Sequence, residues 1–144
     1  MPVETTAVPA TGFQVGQSFT KSLKVDDNLV HAYAEVSGDH NPVHLNDEFA
    51  AKTPFGRRIA HGGILFSLVS NVLGNDLPGV GTIFLSQTIN FKAPVFIDET
   101  VTLIVTLAEL LPKNGAKFNC VITNEKGTVV ADGTATVKLP LLKK

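Results

Sequence analysis

The sequence predicts an α+β domain in which an antiparallel β-sheet wraps around one buried helix. Three observations lead there. The segment His61–Leu73 opens on glycines and is then apolar on nearly every side, and a helix without a polar face must be enclosed by protein. The second half of the chain holds four runs that alternate or are rich in β-branched residues, and turn signals separate the last three. A chain of 144 residues with a hydrophobic fraction of 44% suits one domain with its own core.

Residues 1–12 read as a flexible N-terminal tail of Thr, Pro and Ala, and residues 13–144 as a single domain. Phe13 to Val25 mixes polar and apolar residues around Gly16 and predicts one or two short edge strands. Asp26 or Asp27 can cap a helix, because a carboxylate there accepts the free amide protons of the first turn. Leu29, Val30, Tyr33, Ala34 and Val36 give that helix its apolar stripe, and Gly38 ends it. A loop with Asp39, Asn41, Pro42 and His44 follows. Asn46 then caps a short helical piece through Phe49, Ala50 and Ala51, stopped by Pro54. After the buried helix, closed by Asp76, Pro78 and Gly79, come the strands Thr82–Phe91, Thr100–Leu111, Lys117–Thr123 and Thr128–Leu139. Lys113-Asn114-Gly115 and Asn124-Glu125-Lys126-Gly127 supply hairpin turns, so the last three strands are antiparallel neighbours. A single curved sheet leaves an edge and part of the helix uncovered. Pairing two such sheets removes both problems, so a homodimer is expected.

Composition narrows the function. Lys and Arg number 12 against 13 for Asp and Glu, a net charge of −1, so nucleic acid is not an expected partner. The longest apolar stretch, Ile64–Leu73, is too short to span a bilayer. Cys120 is the only cysteine, which rules out an internal disulfide and a thiolate metal site. The opening stretch has no basic n-region or apolar h-region, and no arginines of a transit peptide. A cytoplasmic location is the expectation, although the opening stretch is also compatible with a trimmed presequence.

Two places could carry chemistry. The run Ser37-Gly38-Asp39-His40-Asn41-Pro42-Val43-His44 is the densest set of reactive side chains. Gly38 ends a helix, and Pro42 fixes its own φ while extending Asn41, so the backbone from Asp39 to His44 is stiff. A carboxyl and an imidazole on such a loop could hold one water and move protons at two atoms. The same residue types also suit a turn stabilised by Asp39 with His44 on the surface. The second place is Ala60-His61-Gly62-Gly63, immediately before the buried helix. The first amides of a helix lack internal partners and carry the positive end of its dipole. The Gly62 amide is therefore suited to a developing oxyanion, and a glycine turn that only packs against the sheet is the alternative.

Together with Arg57-Arg58-Ile59-Ala60-His61-Gly62 and Asn90-Phe91-Lys92-Ala93-Pro94-Val95, the Ser37–His44 run resembles the MaoC-like dehydratase family. More narrowly, it is similar to the (R)-specific enoyl-CoA hydratases of the hot-dog fold. The resemblance extends from about Val15 to Leu139, with Gly-Asp-x-Asn-Pro-x-His intact. It implies that Asp39 and His44 are the catalytic pair, that Gly62 gives the oxyanion amide, that Ser70 lies beside the pair, and that Asn41 orders the loop. The implied reaction is reversible hydration of trans-2-enoyl-CoA to (R)-3-hydroxyacyl-CoA, with the thioester as substrate and no cofactor. We assign His44 as base, since a neutral imidazole is competent near pH 7, and Asp39 as acid, which requires desolvation to favour its neutral form. The two roles can be exchanged.

Leu65 is expected to line the acyl pocket. Arg57 and Arg58, with Lys52 and Lys92, could meet coenzyme A phosphates or a carrier-bound phosphopantetheine, or could be solvated surface charge. A metal held by His40, His44 and His61 is not expected, because Pro42 keeps the first two off a shared helical face. Neither Ser67 nor Ser70 has a nucleophile elbow. Three rival functions remain: a 3-hydroxyacyl-thioester dehydratase acting on acyl-carrier protein, a hot-dog thioesterase, and a non-catalytic acyl-thioester-binding module.

Overall fold

A computed structural model of the protein describes residues 12–141; the tail expected over residues 1–12 lies outside the described residues except for Gly12. Strand β1 covers Ser18–Lys24, followed by helices α1 (Asp27–Ser37), α2 (Pro42–Leu45), α3 (Asp47–Ala51) and α4 (Gly62–Asn75). Strands β2 (Ile83–Phe91), β3 (Thr100–Leu111), β4 (Gly115–Thr123) and β5 (Val129–Lys138) complete the order. The sheet runs β1-β3-β4-β5-β2, and every pair is antiparallel. The expected edge strand is thus β1, and the opposite edge is β2.

The Asp26 carboxylate accepts from the Leu29 amide at 2.9 Å and starts α1, which ends at Gly38 with φ of 78°. Such a left-handed residue is least costly as glycine. The β3–β4 hairpin turns on Lys113 and Asn114, both at positive φ, and its strands pair from Leu111↔Gly115 to Thr102↔Thr123. Val101, Leu103, Val105 and Leu107 of β3 point inward with Phe118, Cys120 and Ile122 of β4. They close on Ile64, Leu65, Leu68, Val69, Val72 and Leu73 of α4. Burying each such aliphatic side chain is worth about 1.5–3 kcal/mol, so the helix is anchored firmly and its first turn is a fixed platform. Cys120 is a small buried strand residue, as expected, and burial pushes its thiol up to about 12.

Two expectations need correction. The sequence places His44 in a loop, yet it lies in the short helix α2, because the Asn41 side chain accepts from the Val43 amide at 3.1 Å and Pro42 occupies the first helical position. Asn-Pro here is a cap followed by a residue that has no amide proton to satisfy. The sequence makes helix α4 apolar on nearly every side, yet Phe66, Ser67, Ser70 and Asn71 are exposed. One sheet encloses only the stripe that faces it, and Phe66, stacked on Phe84 at 5.7 Å, remains 42% exposed.

Candidate active site

The site forms where α1 ends, α2 begins and α4 starts. Asp39 sits just past Gly38, and its amide donates to the Ser37 hydroxyl at 3.0 Å. One carboxylate oxygen of Asp39 accepts from the Asn41 amide at 3.1 Å. The residue therefore does stabilise a turn, as the simpler reading held, while its second oxygen stays available. Asn41 orders this loop through its cap on α2.

His44 is not on the surface; it is buried, at 8% exposure. Its Nδ1 lies 2.7 Å from the Ile59 carbonyl. A carbonyl only accepts, so Nδ1 carries the proton and the neutral ring presents a bare Nε2. The Ile59 carbonyl is held by the strand-like docking of its own segment, in which Ala60 donates to Val95 at 2.7 Å and Ile59 bridges Phe96. Arg58 secures the same corner. Its guanidinium donates to Asp27 at 2.8 Å, to Asp47 at 2.9 Å and to the His44 carbonyl at 3.2 Å. Arg58 holds the Asp27 carboxyl below the usual range.

One ligand atom each of Asp39, His44 and His61 lies within 4.8 Å of the others. A water accepting or donating at about 2.8 Å on either side bridges groups up to about 5.6 Å apart, so the Asp39–His44 gap suits a single water. His61, which the sequence offers only as a metal ligand with His40 and His44, is the third member. His40 is outside the cluster and pairs with Glu35 at 3.1 Å, which raises its pKa. The set Asp39, His44 and His61 suits a metal poorly, because the two imidazole rings stack at 3.9 Å with planes 28° apart. Lone pairs in nearly parallel planes do not converge on one ion about 2.0–2.1 Å from each nitrogen.

Gly62 opens α4, and its amide donates to no carbonyl among the described residues. It lines an apolar cleft of about 400 Å³ together with His44, Phe55, Leu65, Phe91 and Pro94. A Cβ on Gly62 would meet the Phe91 ring at 2.7 Å, so only glycine lets this aromatic lie against the helix N-terminus. Leu65 lines the cleft as expected. Ser70, two turns further along α4, is exposed and does not line it. Arg57 is exposed and stacks over the Phe96 ring at 3.9 Å, while Lys92 is 3.8 Å from Asp132. Phe91 and Phe55 were not singled out as site residues. The signal for Phe91 was its place in Asn90–Val95, which carried the resemblance without a role.

A model of the MaoC-like domain matches residues 11–131. The chain belongs to the MaoC-like domain family. This MaoC-like chain is 44% identical to a 3-hydroxybutyryl-CoA dehydratase of Methylorubrum extorquens, over 88% of this chain and 81% of that protein. It is 42% identical to an (R)-specific enoyl-CoA hydratase of Aeromonas caviae, over 91% of this chain and 98% of that one. The solved (R)-hydratase structure from A. caviae superimposes with a TM-score of 0.86 at 41% identity, covering 89% of this chain and 98% of that one. An R-hydratase from Pseudomonas aeruginosa gives 0.88 at 36% identity, covering 93% and 86%. The MaoC-like domain thus has the hot-dog fold of these hydratases. No helix of the described residues is long and apolar enough to cross a membrane.

Proposed function

We propose that this MaoC-like protein is an (R)-specific enoyl-CoA hydratase, a hydro-lyase that reversibly converts trans-2-enoyl-CoA to (R)-3-hydroxyacyl-CoA. The observation that carries the reading is His44, its Nδ1 held on the Ile59 carbonyl, lining an apolar cleft together with Gly62 while a ring nitrogen lies within 4.8 Å of an Asp39 carboxyl oxygen. The thioester oxygen binds the Gly62 amide, whose pull on the carbonyl makes the β-carbon electrophilic. His44 Nε2 removes a proton from the bridging water as its oxygen bonds to the β-carbon. The electron pair of the double bond moves to the α-carbon and thioester oxygen, and Asp39, entering the cycle as the neutral carboxylic acid, delivers its proton to the α-carbon and is left as the carboxylate. Transfer of the proton from His44 to Asp39 restores both groups. The hydrogen bond from Nδ1 to Ile59 supports His44 as the base. Only water and protons are exchanged, so the reaction requires no cofactor.

The names of relatives at 41–44% identity support the coenzyme A thioester as substrate. The carrier-protein dehydratases of Arabidopsis thaliana and Solanum lycopersicum are more distant, at 35% and 30%. Arg57, exposed and two residues from the cleft-lining Phe55 and Ile59, suits a coenzyme A phosphate better than Arg58, which its acidic partners already occupy. We also assign a homodimer, with β2 and the outer face of α4 covered by the second copy. Exposed Ile83, Leu85 and Phe66 support this, and Ser70 lies on the face so covered.

The test follows loss of enoyl absorbance on coenzyme A thioesters of increasing length, with chiral analysis of the product. Parallel arms use an acyl-carrier thioester and a thiol trap. Hydration giving the (R) product supports the reading. Thiol release without hydration, or activity confined to the carrier-bound substrate, overturns it.

A further inference from the structure

The mechanism leaves two buried titratable side chains unused, Cys120 within the sheet and His61 beside the site. His61 is 2% exposed, the best-buried polar residue among those described. It opens α4 as the N-cap residue, yet its side chain makes no capping bond. Instead its Nε2 lies 3.0 Å from the backbone carbonyl of Asp39, so that nitrogen holds the proton and donates. Its Nδ1 has no partner. One face of its ring stacks on His44 at 3.9 Å, and Tyr33 tilts against it at 4.8 Å.

We propose that His61 is a positioning residue of this site: an imidazole locked in its neutral Nε2–H form that fixes Asp39 through its carbonyl and His44 through its ring. The inference rests on Asp39 and His44 being the proton-transfer pair. Three physical points support it. First, Asp39 is on an exposed loop, and a bond from α4 to its carbonyl ties that loop to the most firmly anchored helix in the fold. Second, a second proton on His61 would be buried at Nδ1 without an acceptor, which strongly disfavours the cation. Burial indeed holds its pKa below the ordinary histidine value. Third, a neutral ring on the face of His44 leaves the proton taken from water on His44, whereas a titrating neighbour would compete for it. The groups facing His61 are Asp39 and His40 from the loop, His44 from α2 and Tyr33 from α1.

Two variants separate the two contacts. His61→Phe keeps a ring to stack and loses the donor; His61→Gln keeps a donor and loses the ring. Each is expected to lower kcat on a short enoyl-CoA by about 10- to 100-fold with KM nearly unchanged, as for loss of an interaction that matters in the transition state. In an Asp39→Asn background the same substitutions should cost under about threefold, because residues acting as one unit are not additive. Unchanged kcat in the singles, or a full multiplicative loss in the double variants, overturns the proposal. Full turnover by Asp39→Asn alone overturns the functional reading beneath it, and is recognised separately. A measurement on the unaltered protein stands independent of folding in the variants. Nitrogen-15 NMR of the imidazoles should show neutral His61 protonated at Nε2, with a titration midpoint below that of an ordinary histidine. A His61 that titrates at or above the ordinary histidine value, or that carries its proton on Nδ1, refutes the assignment.

Discussion

Gly62 and Gly63 are adjacent at the start of α4, and an added methyl group should harm them in opposite ways. On Gly62, a Cβ would lie 2.7 Å from the far end of the Phe91 ring. Ordinary carbon contacts are about 3.5–4.0 Å, so the ring must retreat by about 1 Å. Phe91 is 55% exposed and can swing at little expense. Gly62→Ala should therefore change stability by under about 1 kcal/mol, or roughly 3 °C in Tm for a chain of this size. The displaced ring and the methyl group, however, crowd the place where the thioester oxygen meets the amide. Loss of one oxyanion donor costs roughly 3–4 kcal/mol, a factor of about 10² to 10³ in kcat, and partial obstruction should give at least about tenfold. On Gly63, a Cβ would run into the hydroxyl of Tyr33. Tyr33 packs against the core and against His61, so a retreat towards the groove it borders with Leu29 and Val36 gives up those contacts. Gly63→Ala should lose about 1–3 kcal/mol by overpacking. The assay is steady-state kinetics and thermal melting on the same preparations. A Gly62→Ala enzyme with unchanged kcat, or one whose activity falls only with its folded fraction, would refute the oxyanion role.

Asp39→Asn and His44→Gln should each lower kcat by about 10² to 10⁴ while leaving Tm within a few degrees; near-normal turnover by either purified variant contradicts the pair. Arg58→Ala removes bonds to Asp27, Asp47 and His44, but both carboxylates are more than half exposed, so about 1 kcal/mol of stability should go. Arg57→Ala should instead raise KM for the coenzyme A thioester at constant kcat, and an unchanged KM removes the phosphate contact. Acidification should destabilise the protein through His61. Its folded pKa lies below the 6.5 of the unfolded chain, so the unfolded state takes up a proton that the folded state refuses. That stability is fully present above about pH 6.5 and drains away as the pH falls towards the lowered folded value. His40, raised by Glu35, has the opposite sign but is fully exposed. Tm measured from about pH 5 to 8 should fall more steeply on the acid side for the unaltered chain than for His61→Gln, and equal slopes would exclude the linkage.

Much of this protein is written in local patterns. Asp26 and Gly38 bound α1 because capping depends on a side chain and a backbone angle within a few residues. The apolar run after Gly63 and the β-branched strands declare their type through periodicity, which is also local. The Gly-Asp-x-Asn-Pro-x-His run drew attention to Asp39 and His44 for the same reason. What spacing left open was their surroundings. Whether His44 is a surface residue or a buried base depends on the Ile59 carbonyl, 15 residues away, and that carbonyl is placed by the docking of Ala60 on Val95. The free capacity of Arg58 depends on Asp27, 31 residues upstream. His61 shows the limit most clearly: a histidine before two glycines reads as a turn or a ligand, and only packing sets its ring on His44 and its Nε2 on Asp39. Local residue choice determines elements and candidate chemistry because those interactions span a turn or less. Burial, tautomer and partner are decided by contacts between distant segments, which exist only once the sheet has closed on α4.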